Sequence, residues 1–320
     1  MSDSIGVPSH GAVVVDRGPY AAAHTAEVNV LLAAVAVLGV SLSGPLMAGT
    51  PAPALAIAFW RNALAEAVLL PAVLTTRNRR ELRTMTRADV RTCLFAGAAL
   101  AAHFATWVTA LKLTSVAAAI ALVSMQVGWI ALIDRLRGKA IAPAVLLGVG
   151  LAFSGVLVIT GVDLTLSRDA LIGDLLALVG GLTAAIYTIT GARARESLST
   201  TTYTFLCYGS CAVILLIGCL VGGVPLVGFS AQAWAGILAV TVTAQLLGHS
   251  LINHLLAVMS PMLVSLILLI EVPGAALLAT AMLGQAPGVG VYAGLALILG
   301  GLAVVVTRRP PRPSEVPDSD

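Results

Sequence analysis

Glu271 stands near the middle of an apolar run, 261–283, about nine to ten residues from either end. A charged group near the centre of a bilayer costs at least about 2.5–3.5 kcal/mol on insertion scales, so a carboxyl at that depth needs an account. Two chemistries suit it: holding a substrate amine, or taking up and releasing a proton. The alternative is an acid kept neutral by helix contacts. Pro273 follows two residues later and frees a backbone carbonyl near Leu269, loosening the helix beside the carboxyl. Gln245, His249 and Asn253 fall at i, i+4 and i+8 in the run 232–254, with His254 beside them. Such a stripe faces protein or water, either lining a cavity where His249 exchanges protons or tying helices together. His103 and Trp107 form a second i, i+4 pair, and Gln126 places a neutral polar group midway along 115–133. Arg61 lies about five residues inside its span, where it either snorkels outward or offers a planar fork to a substrate carboxylate. Glu66 is five positions on and roughly 140° around the helix, so no mutual ion pair is expected.

These residues must be carried by membrane helices. Of 320 residues, 58% are hydrophobic and only 10% charged, and the mean hydropathy is +0.99. A span needs about 20 apolar residues, so the chain supplies about ten and leaves short loops. That excludes a soluble enzyme, a disordered chain and a nucleic-acid binder; the net charge of +3 sits in loops that orient helices. The predicted spans are 28–48, 54–74, 91–111, 115–133, 142–160, 171–190, 202–221, 232–254, 261–283 and 289–307. Arg77, Arg79, Arg80, Arg83, Arg87, Arg91, Arg135, Arg137, Lys139, Arg193, Arg195, Arg308, Arg309 and Arg312 all fall on one side of that arrangement. Lys112 and Arg168 fall on the other. Both termini are therefore expected in the cytoplasm.

Sliding the chain by about 145 residues sets Leu113-Thr114-Ser115 on Val258-Met259-Ser260 and Gln126 on Glu271; with one extra residue, Gly148 falls on Gly294 and Gly155 on Gly301. Five spans per half invert the second copy. The expected fold class is an all-α integral membrane protein, ten helices as two inverted five-helix repeats around a central cavity. The expected segments are a tail 1–27, repeats 28–160 and 161–307, and a tail 308–320. No cleavable leader is expected, because the alanines of Tyr20–Ala23 precede the apolar stretch. Cys93, Cys207, Cys211 and Cys219 lie in apolar runs and suggest neither a zinc site nor a disulfide framework. Neither a phosphate-binding G-x-x-x-x-G-K-[ST] loop, nor H-E-x-x-H, nor G-x-S-x-G occurs, so no enzyme activity, cofactor or metal is expected.

The chain resembles the EamA branch of the drug/metabolite transporter superfamily. The likeness lies in His103-Phe104-Ala105-Thr106-Trp107 running on to Thr114-Ser115-Val116-Ala117, in Phe59-Trp60-Arg61, in Gly173-Asp174-Leu175-Leu176, and in Ser260-Pro261 leading to Ile270-Glu271-Val272-Pro273 and Leu283-Gly284-Gln285. Its wording, with Ala244-Gln245-Leu246-Leu247-Gly248-His249-Ser250, is similar to actinobacterial members. Pro273 departs from the branch pattern by coming one residue late after the glutamate, and Gly138-Lys139 and Gly284-Gln285 stand where Gly-Glu is usual. The resemblance implies a secondary transporter of the cytoplasmic membrane, often an exporter of amino acids, related metabolites or drugs. The expected proton and substrate site comprises Glu271, Gln126, His249, Asn253, Gln245, His103, Trp107 and Arg61. Its expected partners are a small-molecule substrate, the lipid bilayer and protons, with a homodimer left open. A facilitative uniporter or channel of the same fold is the alternative, and a membrane-embedded enzyme or accessory subunit a more distant one.

Overall fold

The structure is a computed structural model describing residues 19–162, 167–285 and 288–307. The terminal tails to residue 18 and from 308, with Arg308, Arg309 and Arg312, lie outside the described residues. Fifteen α-helices and one π-helical segment make up the described chain, with no strand among the described residues. The first span, Ala26–Gly49 against the expected 28–48, is carried by α1 (Pro19–Ser41) continued by α2 (Ser43–Gly49). Next come α3 (Ala54–Val73), the short arginine-rich α4 (Thr76–Thr84), and α5 (Arg87–Leu113). The fourth span is divided into α6 (Val116–Val123) and α7 (Gln126–Leu136), and α8 (Pro143–Val162) ends the first half. The second half holds α9 (Arg168–Ala194), α10 (Thr200–Val221), and α11 (Ala231–Val240) running through the π segment Thr241–His249 into α12 (Ser250–Leu255). Its ninth span divides into α13 (Pro261–Leu268) and α14 (Glu271–Leu283), followed by α15 (Val289–Thr307).

Among the described residues, eight of these helical stretches are long and apolar enough to cross a membrane. The apolar helices α8 and α15 add described runs Pro143–Gly155 and Val289–Gly301. Large apolar side chains stand outward along the helices, including Leu31, Leu38, Val68, Phe95, Leu157, Ile217, Leu220 and Leu277. Water would not tolerate so much exposed apolar surface, whereas lipid does.

The helix starts are written in side chains. Ser115, Ser167, Ser199, Ser230 and Ser260 each accept a hydrogen bond from the backbone N–H three residues on. Thr86 and Asp89 form a reciprocal capping box at the head of α5. Pro261 sits at the first turn of α13, where its missing N–H costs nothing.

Packing relies on close backbone approach. The helix pairs α5 with α9, α8 with α15 and α3 with α10 make the most extensive contacts. A methyl group added at Gly155 would lie 2.4 Å from the Gly294 carbonyl oxygen, and one at Gly301 would lie 2.4 Å from that of Gly148. The four glycines matched by the 145-residue shift therefore meet reciprocally at the α8–α15 crossing.

The basic segments gather at one end of the molecule. Glu81 of α4 accepts hydrogen bonds from the backbone N–H and hydroxyl of Ser199 and from the Thr202 hydroxyl. The Ser197 hydroxyl donates to Asp89. At the opposite end the Lys112 ammonium donates to the carbonyls of Met47, Ala48 and Thr50, capping α2. The Trp60 indole donates to the Leu226 carbonyl there, and the Gln285 side chain accepts from the Val116 N–H.

Candidate functional site

Both broken spans put their polar residue at the same place. In the ninth span, Pro273 has no N–H to give the Leu269 carbonyl, which instead accepts from Val272 at 3.2 Å. The helix stops at Leu268 and restarts with Glu271 as the first residue of α14. The fourth span has no proline, yet it breaks at Ser124-Met125 and restarts with Gln126. Here the Met125 N–H bonds the Leu122 carbonyl three residues back, and Gly181 of α9 lies against the Val123 carbonyl, 2.8 Å from where its own Cβ would be. The sequence suggested a loosened ninth span at Pro273 but a continuous fourth; close packing by α9 accompanies the fourth-span break.

Between the breaks lies a cavity of about 60 Å³, lined by Val40, Ser43, His103, Trp107, Val123, Ser124, Gln126, His249, Ile252, Ser265, Leu268 and Glu271. The first span contributes to its wall alongside the expected third, fourth, eighth and ninth. Sites for drug-sized ligands measure about 300–1,000 Å³, so this cavity has room for a few waters rather than for such a ligand.

Gln126 donates to the Thr188 hydroxyl at 3.1 Å and to the Ser265 hydroxyl at 2.6 Å, tying the fourth span to the sixth and ninth. His103 contacts the Gly180 carbonyl at 2.9 Å through Nδ1. A carbonyl only accepts, so Nδ1 carries the proton and in the neutral ring Nε2 is left as an acceptor. The ring stacks on Trp107 at 5.5 Å. Phe104 is the hub beneath: its ring lies 5.0 Å from His103, 5.2 Å from His249 and 4.2 Å from the Arg61 guanidinium carbon.

Arg61 does not snorkel. It is fully buried, with Nε donating to Gln245 Oε1 at 2.7 Å and Nη1 reaching the Met47 sulfur at 3.4 Å. Gln245 in turn donates to Asn62 Oδ1 at 3.0 Å. Arg61 lies within electrostatic reach of Glu271. No ion pair within 4 Å joins them; among the described residues the sole such pair is Lys139 with Asp134. Arg61 Nη2, Trp107 Nε1 and His249 Nδ1 are buried without a hydrogen-bond partner. The first two are donors only, so a ligand group that meets them must bring acceptor atoms. Each buried orphan costs about 1–3 kcal/mol, a strain that such a ligand would relieve.

The eighth-span stripe is distributed rather than aligned. The π segment widens the turn, so Gln245, His249 and Asn253 no longer share one face. His249 reaches the cavity and Gln245 supports Arg61. Asn253 is buried between the Tyr187 hydroxyl, which donates to it, and Thr204. Arg195 donates to the Asn253 backbone carbonyl. Glu66 is turned away from Arg61 toward α10, where a methyl group added at Gly209 would lie 2.8 Å from its carboxylate oxygen. The four cysteines are free and buried, and the described residues hold no His, Cys, Asp and Glu grouping suited to a metal ion. Sequence reasoning missed Phe104, Tyr187, Thr188, Ser265, Ser43 and Met47. Only Asn62, a second polar residue beside Arg61, carried a signal that could have been used.

Comparison with known proteins sharpens this picture. Residues 171–307 match the model of the EamA-like transporter family. That stretch of the chain is similar to this family. It carries Glu271, His249, Gln245 and Asn253, while Gln126, His103, Trp107 and Arg61 come from the preceding half. A solved crystal structure superposes with a TM-score of 0.67 at 18% identity, covering 89% of this chain and 99% of that one, which shows a shared fold across both halves. No curated protein matches the chain. The protein is thus a multi-pass membrane protein whose residues 171–307 resemble EamA-like transporters.

Proposed function

We propose that the protein is a proton-coupled secondary transporter that exports small metabolites such as amino acids, or drug-like compounds, across the cytoplasmic membrane. The observation that carries this reading is Glu271, the first residue of a restarted half-helix, facing a small cavity near Arg61, which has no ion-pair partner within 4 Å. A carboxyl placed there binds either a proton or a substrate amine but not both, and that exclusion is the basis of exchange. Arg61 Nη2 and Trp107 Nε1 offer donors for a carboxylate or another acceptor on the same ligand.

Two features support alternating access around this cavity. The reciprocal glycines of α8 and α15 are the contacts expected where two inverted copies meet on an axis in the membrane plane. A much larger cleft of about 1190 Å³ opens at the arginine-rich end, whereas Lys112, Trp60 and Gln285 tie down the opposite end. On this reading, with arginines inside, the protein is closed outward and wide at the cytoplasmic mouth, and the positive-inside rule assigns both termini to the cytoplasm.

The test is dissipation of a pH gradient in proteoliposomes, with a panel of amino acids and organic cations, wild type beside Glu271→Gln. Compound-dependent proton flux in the wild type that disappears in the variant is the expected result. Solute uptake detected by mass spectrometry, with no proton flux in either protein, would overturn coupling in favour of facilitated diffusion.

A further inference from the structure

The cleft at the arginine-rich end has a composition that the transport reading does not use. Its walls include Arg91 and Phe95 of α5, Arg193 and Ile189 of α9, Arg137 after α7, and Lys139. Lys139 is occupied by Asp134 at 2.8 Å. Among the described residues no carboxylate lies within 4 Å of Arg91, Arg137 or Arg193. Glu196 is the one acid in the lining.

The arrangement is layered. α5 begins at this end and α9 finishes there, so depth increases from Arg91 to Phe95 on one helix and from Arg193 to Ile189 on the other. Each step is four residues, about 6 Å along the axis. Two helices running in opposite directions thus place an exposed guanidinium at one level and an apolar side chain one turn deeper. Leu94 and Phe95 are large, apolar and exposed at 48% and 58%. A free inorganic anion would use only the upper layer. An anionic amphiphile uses both.

We propose that this cleft is a binding site for an anionic phospholipid, its phosphate held by Arg91, Arg137 and Arg193 and its first acyl carbons laid against Phe95, Leu94 and Ile189. The charge excess selects an anionic headgroup, and the depth of the apolar layer selects a lipid over a soluble phosphate. Bound lipid would bridge α5, α9 and the turn after α7 across this cleft.

The experiment is thermal unfolding of the purified protein in mild detergent with added phosphatidylglycerol, phosphatidylcholine, glycerol 3-phosphate or inorganic phosphate, with native mass spectrometry of retained lipid. Phosphatidylglycerol is expected to raise Tm by several degrees and to remain bound, with no comparable effect of the other three. Arg91→Gln/Arg137→Gln/Arg193→Gln should lose at least tenfold in apparent affinity. Arg137→Gln alone, in an exposed turn, should lose a few-fold while keeping its lipid-free Tm, so a folding defect in the triple variant leaves the question answerable. An equal shift with phosphatidylcholine, an equal shift with either soluble phosphate, or an undiminished response in Arg137→Gln and the triple variant would overturn the proposal. None of these readouts depends on transport.

Discussion

The two broken spans place unlike residues in like positions. Gln126 heads α7 and Glu271 heads α14, 145 positions apart, and both border the same cavity. Gln126 is neutral and satisfied by two hydroxyls, Thr188 and Ser265, so it fastens three spans together. Glu271 lies near Arg61 with no ion pair between them. On the proposed reading, one break holds and the other exchanges. A transporter with one coupled proton needs that asymmetry, because two ionisable groups facing each other across so small a space would titrate as a pair.

The largest expected effect comes from erasing the difference. Glu271→Gln makes both breaks neutral; coupled flux should fall at least tenfold while expression and Tm stay near wild type, since Gln preserves size. Normal coupled flux in that variant would remove Glu271 from the mechanism. The opposite edit, Gln126→Glu, makes both breaks acidic. It costs the bonds to Thr188 and Ser265 in their present polarity and sets two carboxyls on one cavity. Flux should fall several-fold, and its pH profile should broaden from one step toward two. A profile unchanged in shape would mean that the two positions do not sense each other.

A third comparison concerns neighbours on one helix. Gly301 of α15 faces the Gly148 carbonyl, whereas nothing lies within 4 Å of a methyl group built on Gly300. Gly301→Ala should cost about 1–3 kcal/mol through overpacking against rigid backbone. Gly300→Ala should be neutral or gain up to about 1 kcal/mol in helix propensity. Unfolding in a denaturing detergent series reads both. Equal behaviour of the two variants would dissolve the argument for a tight α8–α15 crossing.

Most of the helices were legible in the sequence because apolar runs of about 20 residues are separated by charges and capping serines. The break before Glu271 was foreshadowed by Pro273, since a missing N–H is a local property. The break before Gln126 has no such mark; it coincides with Gly181 packing from α9, a partner about 55 residues away. For the same reason the stripe Gln245, His249, Asn253 read as one face: spacing of four assumes an α-helix, and the π segment alters the turn without any proline or glycine signature at its start. Arg61 looked free to snorkel because its partner Gln245 is 184 residues distant. Depth along a helix is local and readable, but the direction a side chain faces depends on neighbours that come later in the chain.

The smallest effect expected lies outside the membrane, where Glu81 of α4 joins the first half to the head of α10. Burial pushes this carboxyl up, but hydrogen bonds from Ser199 and Thr202 and the charge of Arg77 outweigh it and hold Glu81 below its ordinary value. A carboxyl lowered on folding adds stability that is present above its unfolded pKa, about 4.3, and is lost as pH falls through the folded value. Glu81→Gln replaces one acceptor oxygen by a donor amide, so it cannot accept from the Ser199 N–H and from the Ser199 and Thr202 hydroxyls at once. The variant should therefore unfold one to a few degrees below wild type at pH 7, and the gap should close as pH drops below about 4. A gap that stayed constant with pH would show that the contact is held by shape rather than by charge. The interface between α4 and α10 would then resemble the Gln126 break more than the Glu271 one.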